Sequence, residues 1–286
     1  MRGRFVAFQL AFAGAFALAG CAPHGQASDA LDLGVDLATA IAPGPGPVDG
    51  GPLIDDDGDG LDDRDELAWA QAYLPYISTS PTDGCTIGGL AVRVSPHPAD
   101  AKMVHIIYDY LYNDDCGLGG HHGDDEVFAI TADLTQAPPL GIIAIKAISH
   151  QNTPCERDSI CGRCGGLTPC QTLVKGGVPW PAVWPSRAKH GSYVNRGASC
   201  TLLGTCLDNC DDAPTPTEPP IVNVGEPGHP LVHDLTDQGF ITSGNGWTHM
   251  ELFHFDPWKT GASFGGAGVV AADFVDPAFD TPACRP

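Results

Sequence analysis

Residues 104–112, VHIIYDYLY, and residues 126–132, EVFAITA, decide the fold of this 286-residue chain. In both runs β-branched and aromatic residues recur with a period of two, which is typical of strands. Residues 89–95 and 142–148 have the same character, and Gly, Pro and Asp separate all four runs. Short strands with this density of turns predict a mostly β fold, specifically an antiparallel β-sandwich.

A concentration of polar side chains lies between the first two runs, in residues 120–126, GHHGDDE. If the second strand begins at Asp124, then Asp124 and Glu126 share one face of it. His121 can fold back over both from the preceding loop. One imidazole and two carboxylates suit a hard divalent cation such as Mg²⁺, Ca²⁺ or Mn²⁺. The alternative is that His121 and His122 are solvated histidines in a Gly-Asp turn.

This order of motifs resembles the signature of two groups, the necrosis-inducing NPP1-like proteins and the vacuolar sorting protein 62-like proteins. Their heptapeptides read Gly-His-Arg-His-Asp-Trp-Glu and Gly-His-Glu-Gly-Asp-Trp-Glu, and residues 120–126 match them at four and five positions. Residues 148–150, ISH, look like the strand-end Ser-x-His of those groups, and residues 189–193, KHGSY, like their Gly-x-His-x-x-Tyr segment. The resemblance spans residues 67–193 in scattered motifs.

The resemblance implies a β-sandwich that holds a divalent cation, Mg²⁺ or Ca²⁺, and uses it to recognise lipid headgroups and lyse membranes. The implied metal ligands are His121, Asp124, Glu126 and Asp114, with Asn113 or Asp115 as alternatives to Asp114. The face should be concave and open to solvent near Asp114, with His150, His190 and Tyr193 as possible ligand-binding residues. His190 and Tyr193 could equally form a buried structural pair. Asp125 replaces the family's tryptophan, which puts the contacts of that aromatic in doubt.

A second metal motif precedes the strands, in residues 55–66, DDDGDGLDDRDE. It matches the twelve-residue EF-hand loop, in which alternate oxygen ligands wrap Ca²⁺, a glycine permits the sharp turn and the final Glu is bidentate. The predicted calcium ligands are Asp55, Asp57, Asp59, the carbonyl of Leu61, Asp63 and Glu66. The alternative is an acidic linker. Residues 66–74 should form a short helix that Pro75 ends, and the metal should stiffen a joint before the sandwich.

The amino terminus has the features of a bacterial lipoprotein. Arg2 and Arg4 precede an apolar run that ends in residues 18–21, LAGC, which is a secretory signal with a lipobox; an ordinary signal peptide is the alternative. Cys21 should therefore be acylated, with palmitate or a similar chain, and become the first residue. We expect an outer membrane lipoprotein of the cell envelope, periplasmic or surface-exposed, because Ala22 rather than Asp follows Cys21.

These features predict four segments along the chain. Residues 1–20 are the signal peptide, residues 21–53 a flexible tether rich in Ala, Gly, Pro and Asp, residues 54–78 the calcium loop and helix, and residues 79–286 the sandwich.

Cysteine usage agrees with an oxidising compartment, because ten cysteines remain besides Cys21 and could form disulfides. They are Cys85, Cys116, Cys155, Cys161, Cys164, Cys170, Cys200, Cys206, Cys210 and Cys284. Cys155 with Cys170 and Cys200 with Cys210 look like local pairs. The competing interpretation is a zinc site formed by Cys155, Cys161, Cys164 and Cys170.

The formal net charge of −21 argues against nucleic acid as a partner. The membrane, through the anchor, is the first expected partner, and a lipid headgroup or glycan at the metal-bearing face is the second. Binding is the preferred function. A hydrolase that uses the same His, Asp and Glu cluster, with His150 or His190 as general base or acid, is the alternative, followed by a structural envelope protein.

Overall fold

The structure is a computed structural model, which describes residues 51–117, 120, 122–150, 157–163, 166–196, 208–210, 215–226, 228–232, 235 and 238–240. The signal peptide, Cys21 and the tether up to residue 50 lie outside the described residues. So do His121 and five of the predicted disulfide cysteines, which are Cys155, Cys164, Cys200, Cys206 and Cys284.

One helix and thirteen strands make up the described chain. In order they are α1 (Asp63–Ala72), β1 (Tyr76–Thr79), β2 (Ile87–Pro96), β3 (Met103–Asp114), β4 (His122–Asp133), β5 (Ile142–Ser149), β6 (Arg157–Gly162), β7 (Thr172–Lys175), β8 (Val178–Pro185), β9 (Ser192–Tyr193), β10 (Thr215–Thr217), β11 (Ile221–Asn223), β12 (Gly225–Glu226) and β13 (His229–Pro230). The four strands predicted from alternation are β2 to β5, so the mostly β fold is confirmed.

The larger sheet has six strands in the order β11-β2-β3-β4-β5-β6. Strands β2 to β6 pair with their neighbours antiparallel, as the short connections between them require. The edge strand β11 instead pairs parallel to β2, because it arrives from a distant part of the chain. In the β3–β4 register, Tyr112 lies opposite Asp124 and Tyr110 opposite Glu126.

The smaller sheet follows the order β10-β1-β8-β7, with β9 paired to β8. Strands β1 and β8 are parallel, while the other pairings are antiparallel. Both sheets are therefore mixed, which the alternation pattern did not predict. Alternation reports which face a residue occupies, and strand direction depends on the connections.

The two sheets share the main hydrophobic core. Ile77 of β1 and Val183 of β8 pack in the same cluster as Tyr108, Ile106 and Phe128 of the larger sheet. The ring of Tyr108 stacks on that of Phe128, with centroids 4.7 Å apart. Tyr110 and Tyr112 belong to the same cluster, so the tyrosines that share one face of β3 point into the core.

Helix α1 also belongs to this core. Asp62 caps it by accepting a hydrogen bond from the Arg64 N–H, and Trp69, Ala70 and Tyr73 are buried against the sheet. The helix contacts β2 and β11, and the Tyr108 hydroxyl donates to the Ala70 carbonyl at 2.9 Å. The expectation of a stiffened joint standing before the sandwich is therefore wrong, because the helix packs on the sheet.

The opposite face of the larger sheet is buried as well. Ile107, Leu111 and Val127 lie there under Leu235 and Phe240. The Phe240 ring sits so close to Gly89 that a Cβ at that position would come within 2.7 Å of it. Glycine at position 89 thus permits the aromatic ring to approach the backbone of β2.

Two disulfides join described cysteines. Cys85–Cys116 links the start of β2 to the end of β3, and Cys161–Cys170 closes a short loop beside β6. Cys210 is bonded to a cysteine outside the described residues. The expected Cys155–Cys170 pair is wrong, because Cys170 is bonded to Cys161. The zinc interpretation fails for the same reason, since two of its four thiolates are consumed.

Within the described ranges, no helix has the length and apolarity needed to cross a bilayer.

Candidate functional site

Two carboxylates of β4, Asp124 and Glu126, point into the space between the sheets. Because alternate residues of a strand share a face, both lie on the same side of the sheet as Tyr112 and Tyr110 opposite them. Asp124 is 4% exposed and Glu126 is 6% exposed. The predicted shared face is therefore present, although the site is buried rather than solvent-open. His121, the third predicted ligand, lies outside the described residues.

His190 is the partner of Asp124. Its Nδ1 lies 2.6 Å from Asp124 Oδ2 and its Nε2 lies 3.3 Å from Asp83 Oδ1. The ring is fully buried and stacks on Tyr112, with centroids 3.6 Å apart and planes 7° from parallel. Burial alone would lower the pKa of His190, but the hydrogen bonds to Asp124 and Asp83 outweigh it and raise the pKa to about 9. His190 is therefore an imidazolium held between two carboxylates at neutral pH.

Glu126 lacks such a partner. Its Oε2 is buried and makes no hydrogen bond. Burial first, and then the carboxylates of Asp124 and Asp125, raise the pKa of Glu126 well above its ordinary value. A buried carboxyl oxygen without a donor is costly, so Glu126 is stabilised either by keeping its proton or by a cation beside it.

A second polar cluster, centred on Asp208, lies near Glu126. Asp208 accepts hydrogen bonds from the Tyr193 hydroxyl and from Ser186 Oγ, the latter at 2.8 Å, and its Oδ2 pairs with His150 Nε2. Burial opposes ionisation of Asp208, but these bonds, led by that of His150, hold its pKa below the ordinary value. The charge of Asp208 contributes to raising the pKa of Glu126, so the two clusters are neighbours.

Asp114 and His122 occupy the end of the same face. They lie opposite each other on β3 and β4, and His122 Nδ1 is 2.6 Å from Asp114 Oδ1. Their side chains are 44% and 68% exposed. Asp114 thus bonds to an exposed histidine at the outer end of the face, while Asp124 is buried further in. His122 is exposed, as the alternative of a solvated histidine expects, but it lies in strand β4 rather than in a turn.

The predicted residues His150, His190 and Tyr193 fall into the two buried clusters. His190 is fully buried, Tyr193 is 1% exposed and the His150 side chain is 20% exposed. The expected opening to solvent is therefore present at Asp114, whose side chain is 44% exposed, but absent at His190 and Tyr193. Both histidines have a positive φ, 55° and 56°, which shows that the surrounding contacts hold their backbone in a conformation that few side chains adopt.

Two residues that complete these clusters, Asp83 and Asp208, were absent from the sequence predictions. Asp83 is two residues before Cys85 and Asp208 is two residues before Cys210, both of which are disulfide-bonded. Proximity to a cysteine was the one local signal that the sequence offered. Asp83, Cys85 and His190 also lie within ligand distance of one another, but the Cys85 sulfur is consumed in its disulfide, so this trio is not a thiolate metal site.

Comparison with known proteins found similar solved structures from one family. No family model matches the chain, and no curated protein matches it. In structure, the chain resembles the NLP toxins, the necrosis and ethylene-inducing peptide 1-like proteins. "NLPPya in complex with glucosamine" is 14% identical, over 65% of this chain and 78% of that one, with a TM-score of 0.33. "Toxin fold for microbial attack and plant defense" is 14% identical, over 64% and 78%, with a TM-score of 0.31.

These NLP, or NPP1-like, structures belong to one of the two groups that the motifs pointed to, so the predicted resemblance is confirmed. At these values no residue role is transferred through the superposition.

Asp125, which stands where the NPP1-like motif has tryptophan, faces the opposite side of β4. It lies near Asp109, which is fully buried and whose two carboxyl oxygens make no hydrogen bond. Burial and then the Asp125 carboxylate raise the pKa of Asp109 well above its ordinary value. A buried acidic pair thus occupies the position where the family motif has an aromatic.

The Asp109 carboxyl should make stability depend on pH. A carboxyl whose pKa is raised by folding favours the folded state fully below its unfolded pKa of about 3.9, and loses that contribution as pH rises through the folded pKa. Asp109→Asn should therefore raise the free energy of unfolding at neutral pH and flatten its decline as pH rises from about 4 to neutrality. Urea unfolding across that range measures both effects. An unchanged slope would contradict the assignment, and Asp100→Asn, a change at a partly exposed position, is the matched control.

The predicted calcium loop, residues 55–66, also gathers its carboxylates. Ligand atoms of Asp57, Asp59 and Glu66 lie within 4.8 Å of one another, as do those of Asp55, Asp57 and Asp63. All five predicted carboxylate ligands thus converge in two overlapping groups that share Asp57.

Proposed function

We propose that this protein is a lipid-anchored envelope protein whose sandwich binds a polar ligand, a lipid headgroup or glycan, through a divalent cation held by Asp124 and Glu126. The observation that carries the proposal is the Glu126 carboxylate, which is buried beside Asp124 and has an unpaired oxygen. An ion at this point would supply the missing positive charge.

The chemistry of the donors fits a hard cation. Carboxylate oxygens are the ligands that Mg²⁺ and Ca²⁺ prefer, and the described site contains no free thiolate. His190 contacts Oδ2 of Asp124, and Oδ1 is the other oxygen of that carboxylate. That oxygen and Glu126 Oε2 are the two atoms we assign to the cation, and His121 and Asp114 are further candidates.

The surrounding residues would orient these ligands. The imidazolium of His190, held by Asp83 and stacked on Tyr112, fixes the direction of the Asp124 carboxylate. A cation with a small set of protein ligands keeps coordination positions for water or for an incoming hydroxyl or phosphate oxygen. Such oxygens are what lipid headgroups and glycans present. The anchor at Cys21 would hold the domain close to these ligands.

Metal analysis of the purified protein tests the site. Glu126→Gln should release one divalent ion, because it removes a ligand charge and leaves a neutral amide of equal size. Asp125→Asn is the matched control, since it is the adjacent acidic residue on the opposite face of β4 and should keep the ion. Retention of every ion by Glu126→Gln would refute the metal site.

Vesicle binding tests the ligand. With Cys21→Ser, which removes the acyl acceptor, the protein should sediment with vesicles that carry glycosylated or phosphoinositol headgroups only when Mg²⁺ or Ca²⁺ is present, and chelation should release it. Glu126→Gln should not bind, and phosphatidylcholine vesicles are the negative control. Mass spectrometry of the membrane-extracted wild type should find acyl chains on Cys21; an unmodified Cys21 would reject the anchor.

One observation favours a second candidate, a metal-dependent hydrolase. His150 is paired with Asp208 and is partly exposed, an arrangement that orients an imidazole for proton transfer. In that case His150→Asn should abolish turnover of glycoside or phosphoester substrates without releasing the cation. If the wild type binds its ligand but turns over none of these substrates, the hydrolase function is excluded and only the binding function remains.

A further inference from the structure

The calcium loop, residues 55–66, contains buried oxygens that hydrogen bonding leaves unsatisfied. Glu66 is fully buried and Asp57 is 2% exposed. One carboxyl oxygen of each of four residues is buried without a hydrogen-bond partner, namely Asp57 Oδ1, Asp59 Oδ2, Asp63 Oδ1 and Glu66 Oε1. Four such oxygens in one turn of chain would be strongly unfavourable unless a cation joins them.

The backbone of the loop is already wrapped around this point. Gly58 and Gly60 have positive φ values of 80° and 95°, a conformation that glycine adopts readily. The N–H groups of both glycines donate to the Asp55 carboxylate, at 2.7 and 3.1 Å. Ligand atoms of Asp57, Asp59 and Glu66 lie within 4.8 Å of one another. The turn is formed, and its interior carries a strong negative field.

The same loop is bonded to the edge of the larger sheet. Asn223 of β11 donates its amide N–H to Glu66 Oε2 at 2.5 Å, and the N–H of Glu226 in β12 donates to Asp57 Oδ2 at 3.1 Å. Each of these two carboxylates therefore uses one oxygen for the sheet and directs the other into the loop.

Asn223 and Glu226, which donate these two bonds, belong to a segment that is held to β2 at the edge of the larger sheet. Val224 N donates to the Val92 carbonyl at 2.8 Å, and Arg93 Nε donates to the Gly225 carbonyl at 2.7 Å. An edge strand is paired on one side only and opens more readily than central strands. A ligand that orders the carboxylates of Glu66 and Asp57 therefore also stabilises the edge formed by β11 and β12.

We infer that a calcium ion bound by Asp57, Asp59, Asp63 and Glu66 clamps strands β11 and β12 to helix α1, so that calcium occupancy sets the stability of the whole sandwich. The ion orders the carboxylates from inside the loop, and their remaining oxygens hold Asn223 and the Glu226 N–H. The inference goes beyond the proposed function, because none of these residues belongs to the Asp124 and Glu126 site.

Calcium titration of the full chain, with urea unfolding followed by tryptophan fluorescence, tests the clamp. Calcium at a hundredfold excess over its dissociation constant should increase the folded-to-unfolded ratio about a hundredfold, because the loop folds with the sandwich. Glu66→Gln should lose this increase. Asp56→Asn, an exposed change at a non-ligand position of the same loop, should keep it. If Glu66→Gln does not fold, Asp59→Asn replaces it.

Two results would overturn the inference. If calorimetry detects no calcium binding that Glu66→Gln or Asp59→Asn abolishes, the loop is not a site. If calcium binds there without changing the unfolding midpoint, the clamp is wrong. The Glu126→Gln variant separates this from the proposed function: it should keep the part of the calcium-dependent increase that Glu66→Gln removes, whether or not the Asp124 and Glu126 site holds an ion.

Discussion

His190→Asn should lower the free energy of unfolding by about 3–5 kcal/mol, the range for removing one partner from a buried ion pair. The change leaves Asp124, which is 4% exposed, without the imidazolium 2.6 Å from its Oδ2. It also removes the ring that stacks on Tyr112. Asparagine is the chosen replacement because it tolerates the positive φ of 56° at this position, so backbone strain should add little. Urea unfolding at neutral pH measures the loss.

His122→Asn is the matched control for this prediction. His122 also pairs with an aspartate at 2.6 Å, but both side chains are exposed. Exposed ion pairs contribute little to stability because water solvates the separated charges almost as well. If the two histidine variants unfold at similar urea concentrations, the buried imidazolium is not the stabilising element that the geometry indicates.

Removing the Cys85–Cys116 disulfide with a double serine variant should cost about 3.5 kcal/mol, the chain-entropy value for a loop of about 30 residues. The two cysteines are 31 positions apart. The bond also holds Asp83, two residues before Cys85, within reach of His190. The variant should therefore alter the His190 environment as well as stability, and the imidazole resonances in NMR spectra report that change.

The Cys161–Cys170 disulfide gives the comparison. It spans 9 positions, for which the same model gives about 2.5 kcal/mol, and it contacts neither Asp83 nor His190 in the described structure. Its double serine variant should therefore be less destabilised and should leave the His190 resonances unchanged. Equal effects of the two variants on those resonances would show that the Cys85–Cys116 bond does not position Asp83.

Several buried acidic residues lie together on one strand pair of the larger sheet. Asp109, Asp125 and Glu126 all lie on or beside one strand pair, and each is buried. Such groups destabilise an apolar core unless they are protonated, paired or bound to a cation. His190 pairs one of their neighbours, and the proposed cation would serve Glu126. The buried carboxyl of Asp109, close to Asp125, lowers the free energy of unfolding at neutral pH.

The sequence by itself determined the features that depend on neighbouring residues. Period-two alternation located β2 to β5 and placed Asp124 and Glu126 on one face, because side-chain direction along a strand follows from position alone. The spacing of carboxylates in residues 55–66 likewise predicted the groups that converge there, since a single turn of chain brings them together.

Only the tertiary structure decided which distant residues meet. Asp83 reaches His190 across 107 positions and Asn223 reaches Glu66 across 157. Neither contact has a local signature, because each depends on strand pairing between remote segments, including the parallel pairings that no alternation pattern encodes. Burial had the same origin: the sequence left His190 either open to solvent or buried and placed Glu126 on a solvent-open face, and the packing of the two sheets enclosed both, because a residue's exposure depends on which distant segments cover it.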